Sequence, residues 1–460
     1  MELKYSKEFK KVSKAPIQKL SLSLDNFIKA NTSSGIIVII AVILSLILAN
    51  SIFSNEYFAI IHTPFIIGLK NPLGLGDILI EDTILHWIND GLMSVFFFLI
   101  GLEIKREILI GELNSLKHAF FPFIGACGGM LFPAIIYIFF NPLGTIGFPG
   151  WAITTATDIA FSLVILSLIG SKISIKLKFF LTTLAIFDDI GAIMIIAFFY
   201  TPLLDFNYLY LAILMLTILI IINKLGFRNN YIYLVFGIFL WYFLFQSGIH
   251  ATLAGVLLAF TIPATTRIDM DEFKISGTEL LARIYTPGPD EKTLKAINIQ
   301  LGAIESLKRS CYDIETPLIR LENSLSPYVA FIIVPIFALV NSAILIPADI
   351  INLISNPITL GCFFGLLLGK PIGIFTSVYL SKKINIIKIP YGIKNSDILG
   401  IGFIAGIGFT MSFLIANLAL ATDDVINPAK IGILLGSFIS AIIGYLILWY
   451  PRKDKRLKKN

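Results

Sequence analysis

Charge is what the sequence has least of. Asp, Glu, Lys and Arg make up 14% of its 460 residues, while apolar residues reach 56%; an average globular chain has about 25% of the former and about 45–50% of the latter. No single soluble domain buries so much apolar surface. The mean hydropathy of +0.85 is spread along the whole length with 34 glycines and 13% aromatics, which excludes a disordered regulator and a nucleic-acid partner. Cysteine is scarce too. Cys127, Cys311 and Cys362 are far apart and odd in number, which excludes a secreted disulfide scaffold and points to no zinc site. The composition that remains is that of an all-α polytopic membrane protein whose partner is the lipid bilayer.

A helix crosses the hydrocarbon layer with about 20 mainly apolar residues. Such stretches lie at 35–53, 84–102, 119–140, 151–169, 177–200 and 209–222, then as two short, nearly fused runs at 231–245 and 249–262, then at 328–346, 358–380, 398–420 and 431–450. Counting the fused pair as two gives about twelve spans. Lys and Arg gather on the cytoplasmic side of short loops, and here they alternate. The N-terminal tail 1–34, the even-span exits (Lys105, Arg106, Lys117; Lys172, Lys176, Lys178; Lys224, Arg228), the insertion 263–326, the loop holding Lys382, Lys383, Lys388 and Lys394, and the tail 451–460 share one side. Only Lys70 and Lys430 lie opposite. Both termini are therefore expected in the cytoplasm, and merging the short pair would throw three basic regions outside. The first apolar run follows a long basic tail and exceeds the length of a signal-peptide core, so it reads as a retained helix. The net charge of +6 sits in the tails and loops that orient the chain against the lipid surface.

The domain plan is thus a basic tail (1–34), spans one to eight (35–262), a cytoplasmic insertion (263–326), spans nine to twelve (327–450) and a second basic tail (451–460). Between the first two spans, residues 63–69 and 77–81 flank Asn71-Pro72-Leu73-Gly74 and read as a small external β-hairpin near 63–82. Its free edges invite pairing with a second copy. The insertion reads as a solvated linker with one or two helices.

A carboxylate at mid-bilayer costs about 2.5–3.5 kcal/mol on the insertion scale, which makes each one a functional candidate. Asp90, Asp158, Asp188 and Asp189 stand out. Asp90, beside Asn89 near a span's start, reads as an interhelical hydrogen-bonding group. Asp158 belongs to Thr154-Thr155-Ala156-Thr157-Asp158, a polar cluster that interrupts the fourth span. Asp188 and Asp189 are consecutive in the fifth span, and helical neighbours point about 100° apart, so they need not share one pocket. Two adjacent acids with a third in the preceding span suggest a hydrated site. Lys370, in Gly369-Lys370-Pro371, is the one lysine or arginine in the interior of a span, away from its ends, and reads as a charge partner for an aspartate rather than a snorkelling group.

The eleventh span holds Gly400, Gly402, Gly406 and Gly408 and is expected to break as the fourth does. Spans three to five and ten to twelve form triplets entering from opposite sides, an inverted repeat with two broken helices crossing at the midplane. Opposed half-helix ends carry partial charges. Asp158 can balance the N-terminal ends and Lys370 the C-terminal ends.

The sequence also resembles the bacterial NhaA sodium/proton antiporters. The likeness is carried by Trp87-Ile88-Asn89-Asp90-Gly91-Leu92-Met93, Phe96 to Glu107, Ala156-Thr157-Asp158-Ile159-Ala160-Phe161, Leu184 to Ala192, Ser247 to Gly255, Leu368-Gly369-Lys370-Pro371 and Gly406 to Ser412. That family is itself a type example of the inverted-repeat site. The resemblance implies a twelve-helix secondary transporter of the bacterial inner membrane, not an enzyme, without cofactors. It implies Asp188 and Asp189 as the site for Na+ (or Li+) and protons, Asp158, Thr157 and Lys370 as charge-balancing residues with Lys370 partnering Asp188, two protons exchanged per cation, and a homodimer joined through the hairpin. In the family a cytoplasmic cluster tied to pH response corresponds here to Glu103, Arg106, Glu107 and Glu322, but Asn323 and Ser326 stand at its two histidine positions. An intramembrane aspartyl protease lacks its Gly-x-Gly-Asp context here. A sodium-coupled solute symporter stays open on the residues alone.

Overall fold

The computed structural model describes residues 34–69, 78–114, 116–170, 173–200, 204–266, 268–285, 294–346, 349–385 and 393–450. Most of the basic tail 1–34, the whole of the tail 451–460, the expected turn at 71–74, and Lys70, Lys172, Arg267 and Lys388 lie outside them. Among the described residues, eight helices are long and apolar enough to cross a membrane, or ten if each of two bent pairs is one span, and two shorter apolar helices accompany them.

Helix α1 (Ser34–Ala49) bends by 117° into α2 (Ser54–Ile61), a short helix that the apolar run alone did not reveal. Strands β1 (Pro64–Leu69) and β2 (Ile78–Thr83) pair antiparallel, Phe65 opposite Asp82 and Ile66 opposite Glu81. Next come α3 (Ile84–Leu109) and α4 (Leu116–Phe140). A 3₁₀ segment, Phe148–Thr155, passes through residues 156–158 into α5 (Ile159–Ile169). There follow α6 (Ile175–Phe199), α7 (Phe206–Lys224), α8 (Asn230–Gln246) and α9 (Thr252–Thr261). In the insertion, α10 (Met270–Tyr285) packs against α11 (Leu294–Ile314). The remaining helices are α12 (Pro317–Asn341), α13 (Pro357–Lys383), α14 (Asn395–Ala405), α15 (Phe409–Ala419) and α16 (Asp423–Trp449).

Local chemistry explains the boundaries. Asp205, Asn229 and Asn356 accept hydrogen bonds from the backbone N–H groups of Asn207, Tyr231 and Ile358 and so cap α7, α8 and α13. Between α8 and α9 the chain turns at Gly248, whose φ of +83° favours glycine. Helix α12 starts three turns before the apolar run at 328–346, because its first turns carry Arg320 and Glu322 and are amphipathic rather than apolar. Helices α3, α12 and α13 each contain a π-helical stretch, at Trp87–Leu92, Val329–Ile333 and Gly365–Gly369.

The chain forms two compact units. One gathers the described residues up to 93, those of 112–200 and those from 327 onward. In it α4 and α13 meet backbone to backbone: a Cβ placed on Gly373 would lie 2.1 Å from the Gly128 carbonyl oxygen, and one on Gly369 would lie 2.5 Å from the Pro133 Cα. Only glycine permits that approach, and the spacing of four residues puts Gly365, Gly369 and Gly373 on one stripe. The other unit, 94–111 with the described part of 202–326, is built around Phe98, Leu102, Tyr233, Leu240 and Leu258. There α3 and α9 touch at Gly255, where a Cβ would lie 2.2 Å from the Ser94 carbonyl oxygen.

Candidate ion site

Every residue of the site belongs to the first unit. Its frame is the pair of interrupted elements. In the 3₁₀ segment the hydroxyls of Thr154 and Thr155 donate to the carbonyls of Trp151 and Ala152, three residues back, a local bonding that competes with regular helix. The chain is then extended at Ala156 and at Asp158. Helices α14 and α15 are bent by 50° across Gly406–Gly408, and Phe409 enters α15 with a positive φ of 21°.

Asp158 sits at the crossing, 2% exposed. Its Oδ1 accepts from Phe161 N–H (3.1 Å), capping α5. Its Oδ2 accepts from the Thr410 N–H (3.1 Å) and the Thr410 hydroxyl (2.5 Å) in the first turn of α15. One carboxylate thus serves two helix N-termini, each carrying partial positive charge. Two further N–H groups at the start of α15 are met by α16, since Gly408 and Phe409 donate to Ser437 Oγ (3.2 and 3.3 Å).

The C-terminal ends are met by hydroxyls and by one backbone amide. The α14 terminus receives Ser162 Oγ on Ile404 O (3.1 Å) and Thr157 Oγ1 on Ala405 O (2.9 Å), and the Asp158 N–H donates to Ile407 O (2.7 Å). Reciprocally, Ser412 Oγ of α15 donates to Ile153 O in the 3₁₀ segment (2.7 Å). The sequence reading held Thr410 and Ser412 only as members of the Gly406 to Ser412 stretch, and Ser162 and Ser437 had no place in it. Thr410 and Ser412 stand in a glycine-rich polar stretch that could have flagged them, whereas Ser162 and Ser437 look like any serine in an apolar helix.

Beside the crossing, α6 presents Asp188 and Asp189, 1% and 2% exposed. Lys370, fully buried, follows the π-helical turn of α13, and Pro371 beyond it lacks the N–H that would continue the ladder. Its Nζ lies 2.5 Å from Asp188 Oδ2 and donates to Thr157 Oγ1 at 2.8 Å. Thr157 Oγ1 lies 2.6 Å from the same Oδ2. With a single proton, that hydroxyl can donate either to Asp188 or to Ala405 while it accepts from Lys370. Asp188 Oδ1 is buried without a hydrogen-bond partner among the described residues, so one carboxylate face is taken and the other is open to a further ligand. An isolated charge in such a place would be prohibitive, so the Lys370 ammonium and the Thr157 hydroxyl are what make ionised Asp188 tolerable.

The remaining candidates lie elsewhere. Asp90 is partly buried in the π-helical stretch of α3; its neighbour Asn89 accepts a hydrogen bond from Asn341. In the second unit Arg106 pairs with Glu107 and with Glu322, both at 3.1 Å, and Glu103 lies within electrostatic range of all three. Asn323, at one of the family's histidine positions, is exposed.

The family model described as Na+/H+ antiporter 1 matches residues 25–448. Curated relatives named Na(+)/H(+) antiporter NhaA include one from Oleidesulfovibrio alaskensis, 42% identical over 94% of this chain and 95% of its own length. Another, from Helicobacter pylori, is 43% identical over 96% of this chain and 98% of its own, and one from Wolinella succinogenes is 41% identical over 94% of each. The match takes in the interrupted elements, the paired aspartates and the buried lysine alike, and the chain belongs to the Na+/H+ antiporter 1 family.

Proposed function

We propose that this chain is a sodium/proton antiporter of the bacterial inner membrane that exports Na+, with Li+ as a second cation, by alternating access at Asp188 and Asp189. The observation that carries this reading is the buried Asp188–Lys370–Thr157 cluster with a second carboxyl on the adjacent residue. Asp188 has three mutually exclusive partners: a proton, the Lys370 ammonium and a hard cation that favours ionised oxygen ligands. A sodium ion beside the ammonium meets like charge at short range in a weakly polar medium, where repulsion is strong. Sodium entry and proton or ammonium retention are therefore alternatives, and exchange follows from the exclusion. Two protons per cation move one net charge per cycle, and about 2.3 kcal/mol per 100 mV then helps drive sodium outward.

In the same reading Asp158, Thr157 and Lys370 balance the half-helix ends. The helices amount to twelve spans when the bent pairs and both short apolar helices are each counted. The inverted triplets meet at the interrupted elements, both termini are cytoplasmic, and a homodimer forms through the β1–β2 hairpin. Glu103, Arg106, Glu107 and Glu322 act in the response to pH. The decisive test is proton release from inverted membrane vesicles on sodium addition with no other solute present. Release is expected from the wild type and lost in Asp188→Asn and Asp189→Asn proteins that still reach the membrane fraction; normal exchange in either variant removes that residue from the site, and a requirement for an added solute replaces exchange by symport.

A further inference from the structure

Away from the crossing, within the same unit, a second polar chain is buried among apolar helices. Asn341, the last residue of α12 and fully buried, donates from Nδ2 to Asn89 Oδ1 of α3 at 2.9 Å, and that same Nδ2 also donates to Phe337 O of its own helix at 3.0 Å. Its Oδ1 accepts from Asn417 Nδ2 of α15 at 2.5 Å. Both protons of one amide and its oxygen are thereby used. Asn417 is separated from Thr410 by two turns of α15, about 10 Å of helix rise. Thr410 is the residue whose N–H and hydroxyl hold Asp158 Oδ2, and Asp158 adjoins Thr157, whose hydroxyl meets Asp188 Oδ2. Helix α15 is thus pinned at both ends: to the ion site at its start and to α12 and α3 near its finish.

We propose that Asn417 and Asn341 are positioning residues for the exchange reaction, an amide latch that fixes α15 against α12 and α3 and through it the placement of Asp158, Thr157 and Asp188. This inference rests on the proposed exchange site. An 11-residue helix is too short to absorb a displacement at one end by bending, so a shift at Asn417 is delivered to Thr410 as a movement of the whole rod. A buried amide–amide bond is worth roughly one neutral hydrogen bond. Its loss is expected to raise the sodium KM about three- to tenfold with maximal exchange at saturating sodium within about twofold.

Three variants test this in inverted vesicles: Asn417→Ala, Asn417→Leu, which keeps the volume but cannot donate, and Asn89→Ala, each followed by sodium titration and detergent melting. The two Asn417 variants are expected to raise KM alike, and the Asn89→Ala/Asn417→Ala double variant to do so by less than the product of the single effects, since both cut one chain. Should alanine prevent insertion, leucine supplies the KM. A wild-type KM in Asn417→Leu, a lowered melting point with KM untouched, or strictly multiplicative effects overturns the latch. Asp188→Asn is carried alongside: exchange persisting there refutes the site itself, whereas exchange lost there with KM unmoved in the asparagine variants refutes only the latch.

Discussion

Replacing Lys370 by Met keeps most of the side-chain volume and removes the charge, so it isolates what the ammonium does. In the wild type Asp188 Oδ2 holds two close partners, Lys370 Nζ at 2.5 Å and Thr157 Oγ1 at 2.6 Å, and no solvent reaches the lysine. Without the ammonium a single hydroxyl faces a buried carboxylate. Breaking one side of a buried ion pair costs about 3–5 kcal/mol, a large fraction of the roughly 5–15 kcal/mol that holds a typical protein folded. The melting midpoint in detergent is expected to fall by about 5 °C or more. The same reasoning makes the loss conditional on the charge of Asp188. In the Lys370→Met/Asp188→Asn double variant no unbalanced charge is left, and most of the stability is expected to return although exchange does not. Lys370→Arg, which restores a cation, should melt above Lys370→Ala. A Lys370→Met protein that melts like the wild type, or a double variant that melts as low as the single, refutes the claim that the ammonium is there to neutralise Asp188.

Thr410→Val removes the 2.5 Å hydroxyl contact to Asp158 but keeps the backbone N–H; a bond to a charged acceptor contributes about 1.5–3 kcal/mol, so a lowered melting point is expected, and an unchanged one shows that the hydroxyl adds nothing to the cap. Because protons and sodium compete for the same carboxylates, acidification should raise the sodium KM, by up to about tenfold per pH unit for each proton displaced, and a KM independent of pH rules the competition out. Glu322→Gln removes the carboxylate facing Arg106 at 3.1 Å and is expected to displace the pH profile of exchange, while Asn323→His with Ser326→His is expected to steepen it, histidine being the side chain that titrates in this range; superimposable profiles assign the whole pH response to Asp188 and Asp189.

The sequence made some of this legible and hid the rest for physical reasons. A charge within some twenty apolar residues is expensive wherever it sits, so Asp158, Asp188, Asp189 and Lys370 announce themselves one at a time. Which of them touch was not contained in that cost. The 2.5 Å pairing of Lys370 with Asp188 spans 182 positions, and the Asp158–Thr410 bond spans 252; the resemblance to the antiporters suggested the first and left the second unmentioned. Serine is nearly neutral in an apolar helix, which is why Ser162 and Ser437 were invisible until the backbone ends they serve were placed. Boundaries slipped where amphipathic and apolar helix join, as at Pro317, because hydropathy detects the lipid-facing portion of a helix and not its continuation toward water. The sharp bend after Ala49 is held locally, where Ser51 Oγ donates to the Leu48 carbonyl and accepts from the Phe53 N–H, and by packing, where the Tyr57 hydroxyl of α2 donates to the Leu339 carbonyl of α12.

The π-helical stretch Gly365–Gly369 lets the helix hold one residue more before the lysine than its turns require. Such a stretch is one extra residue accommodated in an α-helix, and each residue of a regular helix advances its successors by about 100° around the axis. Because five residues in this wider turn carry the chain about as far around the axis as four in a regular helix, Lys370 keeps the direction toward Asp188 that it would have without the extra residue. The aim of the ion pair is therefore set by the flanking helix and survives the bulge. A single codon gained or lost within these five residues is thus expected to leave the Lys370–Asp188 pair in place, whereas one taken up as regular helix would turn the lysine about 100° away from the carboxylate.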